Sequence, residues 1–153
     1  MHHARMTVDG LPLHPLIVHA TVVVLPLLAV LSLAFLRPRW SARLRWPLLA
    51  VSVAAAVLIW LTSASGHALE NDRFATATGV LAERIQHHRI LAGRLSKATY
   101  ALAAVAALMV LLRGRLPAPL VWLGSALLVV GAVAVGVLTV LTGHAGAQAA
   151  WGQ

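Results

Sequence analysis

A chain of 153 residues that is 60% hydrophobic and 10% charged, with a mean hydropathy of +0.86, carries more apolar surface than a soluble core of its size could hide. Its formal charge of +8 sits in short segments between apolar runs with no basic, aromatic stacking face, which excludes nucleic acid as a partner. The absence of cysteine excludes disulfides, thiolate metal sites and covalently attached haem.

Residues 1–13 form a polar lead with Arg5 but no apolar core or small-residue cleavage site, so the first span is expected to act as its own insertion signal. Span one is expected over about 14–36, with Pro15 at a helical start where its missing N–H has no partner to lose. At about 1.5 Å per residue it crosses a ~30 Å hydrocarbon core. Residues 37–47 hold Arg37, Arg39, Arg43, Arg45, Trp40, Trp46, Pro38 and Pro47 and read as an interfacial loop. Span two is expected over about 46–63.

Residues 64 to about 86 form the longest polar segment and carry Glu70, Asp72 and Glu83. From Val80 the chain reads as helix continuous with span three, about 88–112, because Leu81, Ile85, His88, Ala92 and Leu95 recur at steps of three or four. That period points His88 inward and His87 aside. Arg113-Gly114-Arg115-Leu116-Pro117 makes a second turn, and span four is expected over about 119–142. In it Gly124, Gly131, Ala132 and Gly136 let helix backbones approach closely. The fold class expected is all-α, a single four-span domain over 1–153 built from two tandem transmembrane hairpins. Dense arginine in the first loop sets that loop inside by the positive-inside rule and both termini outside, in a bacterial plasma membrane.

Each hairpin begins with a histidine pair, His14 with His19 and His87 with His88, and ends on a related segment, Leu61-Thr62-Ser63-Ala64-Ser65-Gly66-His67-Ala68 or Leu141-Thr142-Gly143-His144-Ala145. Matched through Gly66-His67 and Gly143-His144, the halves form an approximate parallel repeat with an insertion. Threaded through four spans, every histidine from His14 onward falls at one end, whereas the other end uses arginine.

Imidazole is the commonest nitrogen ligand for iron, copper and zinc, and helix bundles build such sites from facing helices. An apolar slot with two imidazoles across it suits a b-type haem. Diagonal helices pair His19 with His88 and His67 with His144 as candidate axial ligands; His14, about 140° from His19 around the helix, serves a different direction. Arg84, Arg89 and Arg94 are candidate partners of haem propionates, while Arg89, Arg94 and Lys97 read equally as snorkelling anchors. The same four histidines, with Asp72 or Glu70 nearby, could instead hold a transition metal. The bland alternative has no cofactor: His67 and His144, after Gly66 and Gly143, would cap helix ends in an accessory or structural subunit. No nucleophile elbow, His-Glu-x-x-His or buried carboxylate pair occurs, so no catalytic residue is assigned. The bilayer is the expected partner, with a redox protein, a larger membrane complex or a second copy as further candidates.

Gly10-Leu11-Pro12-Leu13-His14-Pro15-Leu16-Ile17-Val18-His19 resembles the opening of the bacterial predicted-membrane-protein family known as domain of unknown function 2231. The Thr-Gly-His of span four fits too, so the likeness extends over essentially the whole chain. The resemblance implies a four-helix integral membrane fold and leaves the activity open. Relatives joined to Rieske-type or cytochrome c-type domains make electron transfer its functional implication.

Overall fold

Membrane-length apolar runs become helices because only a helix satisfies every backbone N–H and C=O within one segment when water is absent. A computed structural model describes residues 7–8, 11–73, 76 and 78–151. After a two-residue antiparallel pairing of Thr7–Val8 with Leu11–Pro12 come α1 (Leu13–Phe35), α2 (Pro38–Arg73), α3 (Gly79–Leu111) and α4 (Ala118–Trp151). Each of the four is long and apolar enough to cross a membrane. Their packing runs in a ring, α1 on α2, α2 on α3, α3 on α4 and α4 back on α1, which leaves α1 and α3 on one diagonal and α2 and α4 on the other.

Leu25, Leu28, Leu48, Leu102, Leu128 and Val135 fill the centre of the bundle with almost no exposure. Val30, Trp122, Val130 and Val140 point outward and are exposed. An apolar exterior around an apolar core is what lipid solvation permits and water does not. Several buried serines and threonines return their hydroxyls to carbonyls one turn back, as Ser32 does to Leu28, Ser52 to Leu48 and Thr139 to Val135.

The two hairpins repeat at constant spacing. Thr21, Leu25, Leu28, Ala29 and Ser32 of α1 recur 74 positions on as Leu95, Thr99, Leu102, Ala103 and Ala106 of α3, all buried. Leu48, Ser52, Ala55, Ile59 and Ser65 of α2 recur 80 positions on as Leu128, Ala132, Val135, Thr139 and Ala145 of α4, again all buried. The repeat is therefore one of inward faces, and within a helix it needs no insertion.

Helix ends differ from the expected ones. Residues 38–47 are the first turns of α2, not a loop; Pro38 takes the first helical position, and the Arg37 carbonyl accepts from the Trp40 and Ser41 amides. Residues 64–73, expected as polar connection, continue α2, and α4 runs on past Thr142 to Trp151, whereas α3 opens at Gly79, one residue before the helix expected from Val80. Hydropathy marks where lipid lies, whereas a helix continues wherever packing supports it. At ~1.5 Å per residue α2, α3 and α4 are roughly 50–54 Å long, longer than a ~30 Å hydrocarbon core, and project beyond it.

Candidate functional site: two imidazoles at one end of the bundle

Steps of seven return to nearly the same helix face, drifting only about 20° each time. Along α1 these steps run His14, Thr21, Leu28, Phe35, and along α3 they run His88, Leu95, Leu102; apart from the two histidines, every one of these residues is buried. Each imidazole thus continues the inward face of its helix. His14 and His88 are half-buried and close enough for a charge on one ring to be felt by the other. They come from diagonal helices and from different hairpins.

Hydrogen bonding selects one tautomer for both rings. The Ser65 hydroxyl donates to the Thr62 carbonyl at 3.1 Å, so its oxygen is left to accept from His14 Nδ1–H, also at 3.1 Å. The Thr62 backbone carbonyl lies against the same ring. His88 Nδ1 lies 3.1 Å from the Thr142 carbonyl, which can only accept. In its neutral form each ring would thus carry its proton on Nδ1 and keep the lone pair on Nε2.

Glycine lets the rings lie against the neighbouring helix. A Cβ at Gly66 would stand 3.1 Å from His14 Cε1, and a Cβ at Gly146 would stand 3.1 Å from His88 Cε1. The two half-sites align as Thr62-Ser63-Ala64-Ser65-Gly66 with Thr142-Gly143-His144-Ala145-Gly146, a Thr-x-x-small-Gly pattern at the 80-residue spacing. Matching Gly66-His67 to Gly143-His144, as the sequence alone suggests, is thus out of register by three residues.

The halves differ in their hydroxyls. Thr21 and Thr62 share a hydroxyl contact of 2.7 Å, but Leu95 stands at the counterpart of Thr21, and the buried Thr142 hydroxyl has no partner among the described residues.

The remaining candidates lie elsewhere. His19 is exposed and donates from Nδ1 to the Pro15 carbonyl of its own helix at 2.6 Å, so the ring that shares the bundle end with His88 is that of His14. His67, His87 and His144 are exposed. Neither His67 nor His144 caps a helix, because α2 and α4 run past them. Arg89 reaches Glu70 at 3.3 Å across the α2–α3 seam, Arg84 reaches the Gln148 carbonyl at 3.5 Å, and Arg94 is exposed. Nothing is described of the Asp72 side chain. Among the described residues no three His, Cys, Asp or Glu side chains gather as a metal-binding group. The supports missed from sequence are Ser65, Gly66, Gly146 and the carbonyls of Thr62 and Thr142; the Thr-x-x-small-Gly repeat is the signal that could have found them.

Residues 10–153 match the model of the predicted membrane protein family DUF2231, and the chain belongs to that family. Comparison with curated proteins and with solved structures gave no match.

Proposed function

We propose that this member of the predicted membrane protein family binds a b-type haem between His14 and His88 and passes electrons one at a time through it. The observation that carries the reading is the matched pair of rings, one per hairpin, each with Nδ1–H tied to an acceptor on the next helix and Nε2 left to ligate. A second-shell acceptor on the far nitrogen orients a ligating histidine and raises its basicity. Among the described residues two imidazoles meet without a third ligand, which favours a haem, whose porphyrin would supply nitrogens of its own, over a bare zinc or copper ion, which needs three or four side chains. Arg84, one turn toward water on the face of α3 that carries His88, is the basic residue best sited for a propionate.

Arg37, Arg39, Arg43 and Arg45 directly follow the first span, against Arg5 alone before it, which favours the arginine end being cytoplasmic in a bacterial plasma membrane. The histidine end and both termini then face outward, where a redox protein would dock. A non-catalytic accessory subunit is the second reading, favoured by the same two hydrogen bonds taken as plain ties between helices.

Optical spectra of protein purified in detergent from haem-replete cells test the choice. The haem reading expects a reducible Soret and α band of low-spin type, lost or shifted in His14→Ala and His88→Ala and kept in His19→Ala and His87→Ala. A colourless wild-type protein, or equal spectra in all four variants, rejects it and leaves the accessory subunit.

A further inference from the structure

The end of the bundle opposite the histidines carries six arginines, Arg37, Arg39, Arg43, Arg45, Arg113 and Arg115, all exposed. No carboxylate of this chain is available to them. The sequence has no Asp or Glu between residues 10 and 69 or after residue 83, so none falls within or beside the arginine-bearing segments 37–45 and 113–115. A concentration of positive charge with no internal counter-charge must find its counter-ions outside the molecule.

Geometry and neighbours say which. Arg37 and Arg39 lie 5.5 and 5.2 Å from the Trp40 ring centre, and Arg45 lies 4.8 Å from that of Trp46. Such stacking engages the π-face of a guanidinium and leaves its N–H donors, which radiate in the plane, to bind phosphate. Both tryptophans are exposed, as interfacial anchors are at headgroup level. The charge is also one-sided. The opening turns of α4, 80 positions on from those of α2, carry Leu120, Val121, Trp122 and Leu123 and no charge. At this end of the bundle arginine is thus confined to residues 37–45 and to the α3–α4 turn, the level at which the headgroups of one leaflet would lie.

We infer that this end of the protein is a docking surface for anionic phospholipid, with Arg39, Arg43 and Arg45 of α2 and Arg113 and Arg115 of the α3–α4 turn gripping headgroup phosphates. The proposal is independent of what the histidine end binds. Attraction of this kind scales with the anionic charge of the leaflet, so lipid with net charge is retained over zwitterionic lipid that bears the same phosphate.

The full chain, purified in mild detergent and mixed with equal phosphatidylglycerol and phosphatidylcholine, is read by native mass spectrometry for retained lipid. Wild type should retain phosphatidylglycerol in several-fold excess, and the triple variant R39Q/R43Q/R45Q should lose most of that excess. The triple lysine variant R39K/R43K/R45K should keep more of it, and Lys97→Gln, midway along α3 and 16 residues before Arg113, should change nothing. Equal retention of the two lipids by wild type overturns the proposal, as does a loss in Lys97→Gln matching that in the triple glutamine variant. Displacement of the lipid by inorganic phosphate overturns it too, by making the site a receptor for the free anion. If the triple glutamine variant does not fold, R113Q/R115Q, altered in a turn and not in a helix, carries the test; unchanged selectivity in it refutes the collar.

Discussion

Gly146→Ala opposes two effects of similar size. Replacing a mid-helix glycine by alanine stabilises a helix by up to ~1 kcal/mol. Here, however, the new Cβ would meet His88 Cε1 at 3.1 Å and Nδ1 at 3.2 Å, so the ring must retreat by a few tenths of an ångström. Its bond to the Thr142 carbonyl, already 3.1 Å, then stretches toward the limit of useful geometry, and a buried hydrogen bond is worth about 0.5–1.5 kcal/mol. The two terms nearly cancel. Gly143→Ala, three residues away on the same helix, meets nothing within 4 Å and keeps only the helical gain. Thermal unfolding in detergent, followed by circular dichroism, should therefore raise Tm for Gly143→Ala by about 2–4 °C and leave Gly146→Ala near wild type. The ring nitrogen resonances of His88 should move only in Gly146→Ala. If Gly146→Ala gains as much as Gly143→Ala with those resonances unmoved, the ring does not lie against that glycine and the half-site is wrong.

Thr142→Val removes a buried hydroxyl that has no partner among the described residues and should stabilise by about 1 kcal/mol, whereas Thr62→Val breaks the pair with Thr21 and should destabilise by a similar amount; chemical denaturation of both variants checks the sign. At Gly124 a Cβ would stand 2.3 Å from Met109 Sδ, so Gly124→Ala should destabilise by about 1–3 kcal/mol and be largely rescued by Met109→Ala in a double-mutant cycle of unfolding. The Arg89–Glu70 pair is exposed to solvent, so its coupling energy in a cycle with Arg89→Gln and Glu70→Gln should fall below about 1 kcal/mol and fade with added salt.

Hydropathy suffices to find the four spans, their pairing into two hairpins and the gathering of histidine at one end, because lipid exposure acts on composition. Where helices stop is a different matter. Gly66 and Gly143 read as stops in isolation, yet both lie inside helices, and Gly66 is needed for contact with His14 and not for a turn. His14 was legible in principle. Thr21, Leu28 and Phe35 mark the buried stripe of α1, and one more step of seven back arrives at His14, whereas His19 lies two residues before Thr21 and off the stripe. The pairing of His19 with His88 fails for want of that register. The repeat could flag the segments at Thr62 and Thr142, but which of their atoms meets each ring was beyond reach from sequence, since that depends on how two helices slide against each other.

Two hairpins with one inward pattern could in principle assemble as separate chains, and their meeting would then depend on how densely the membrane holds them. Joined through the short connection after Arg73, each finds its counterpart at an effective concentration in the millimolar range, whatever the expression level. Tethering also frees the halves from remaining identical. Thr21 against Leu95 and Ser65 against Ala145 show the liberty used within a turn or two of the imidazoles. Anything gripped between them meets two unequal sides, a distinction that a true dimer of one hairpin could never draw.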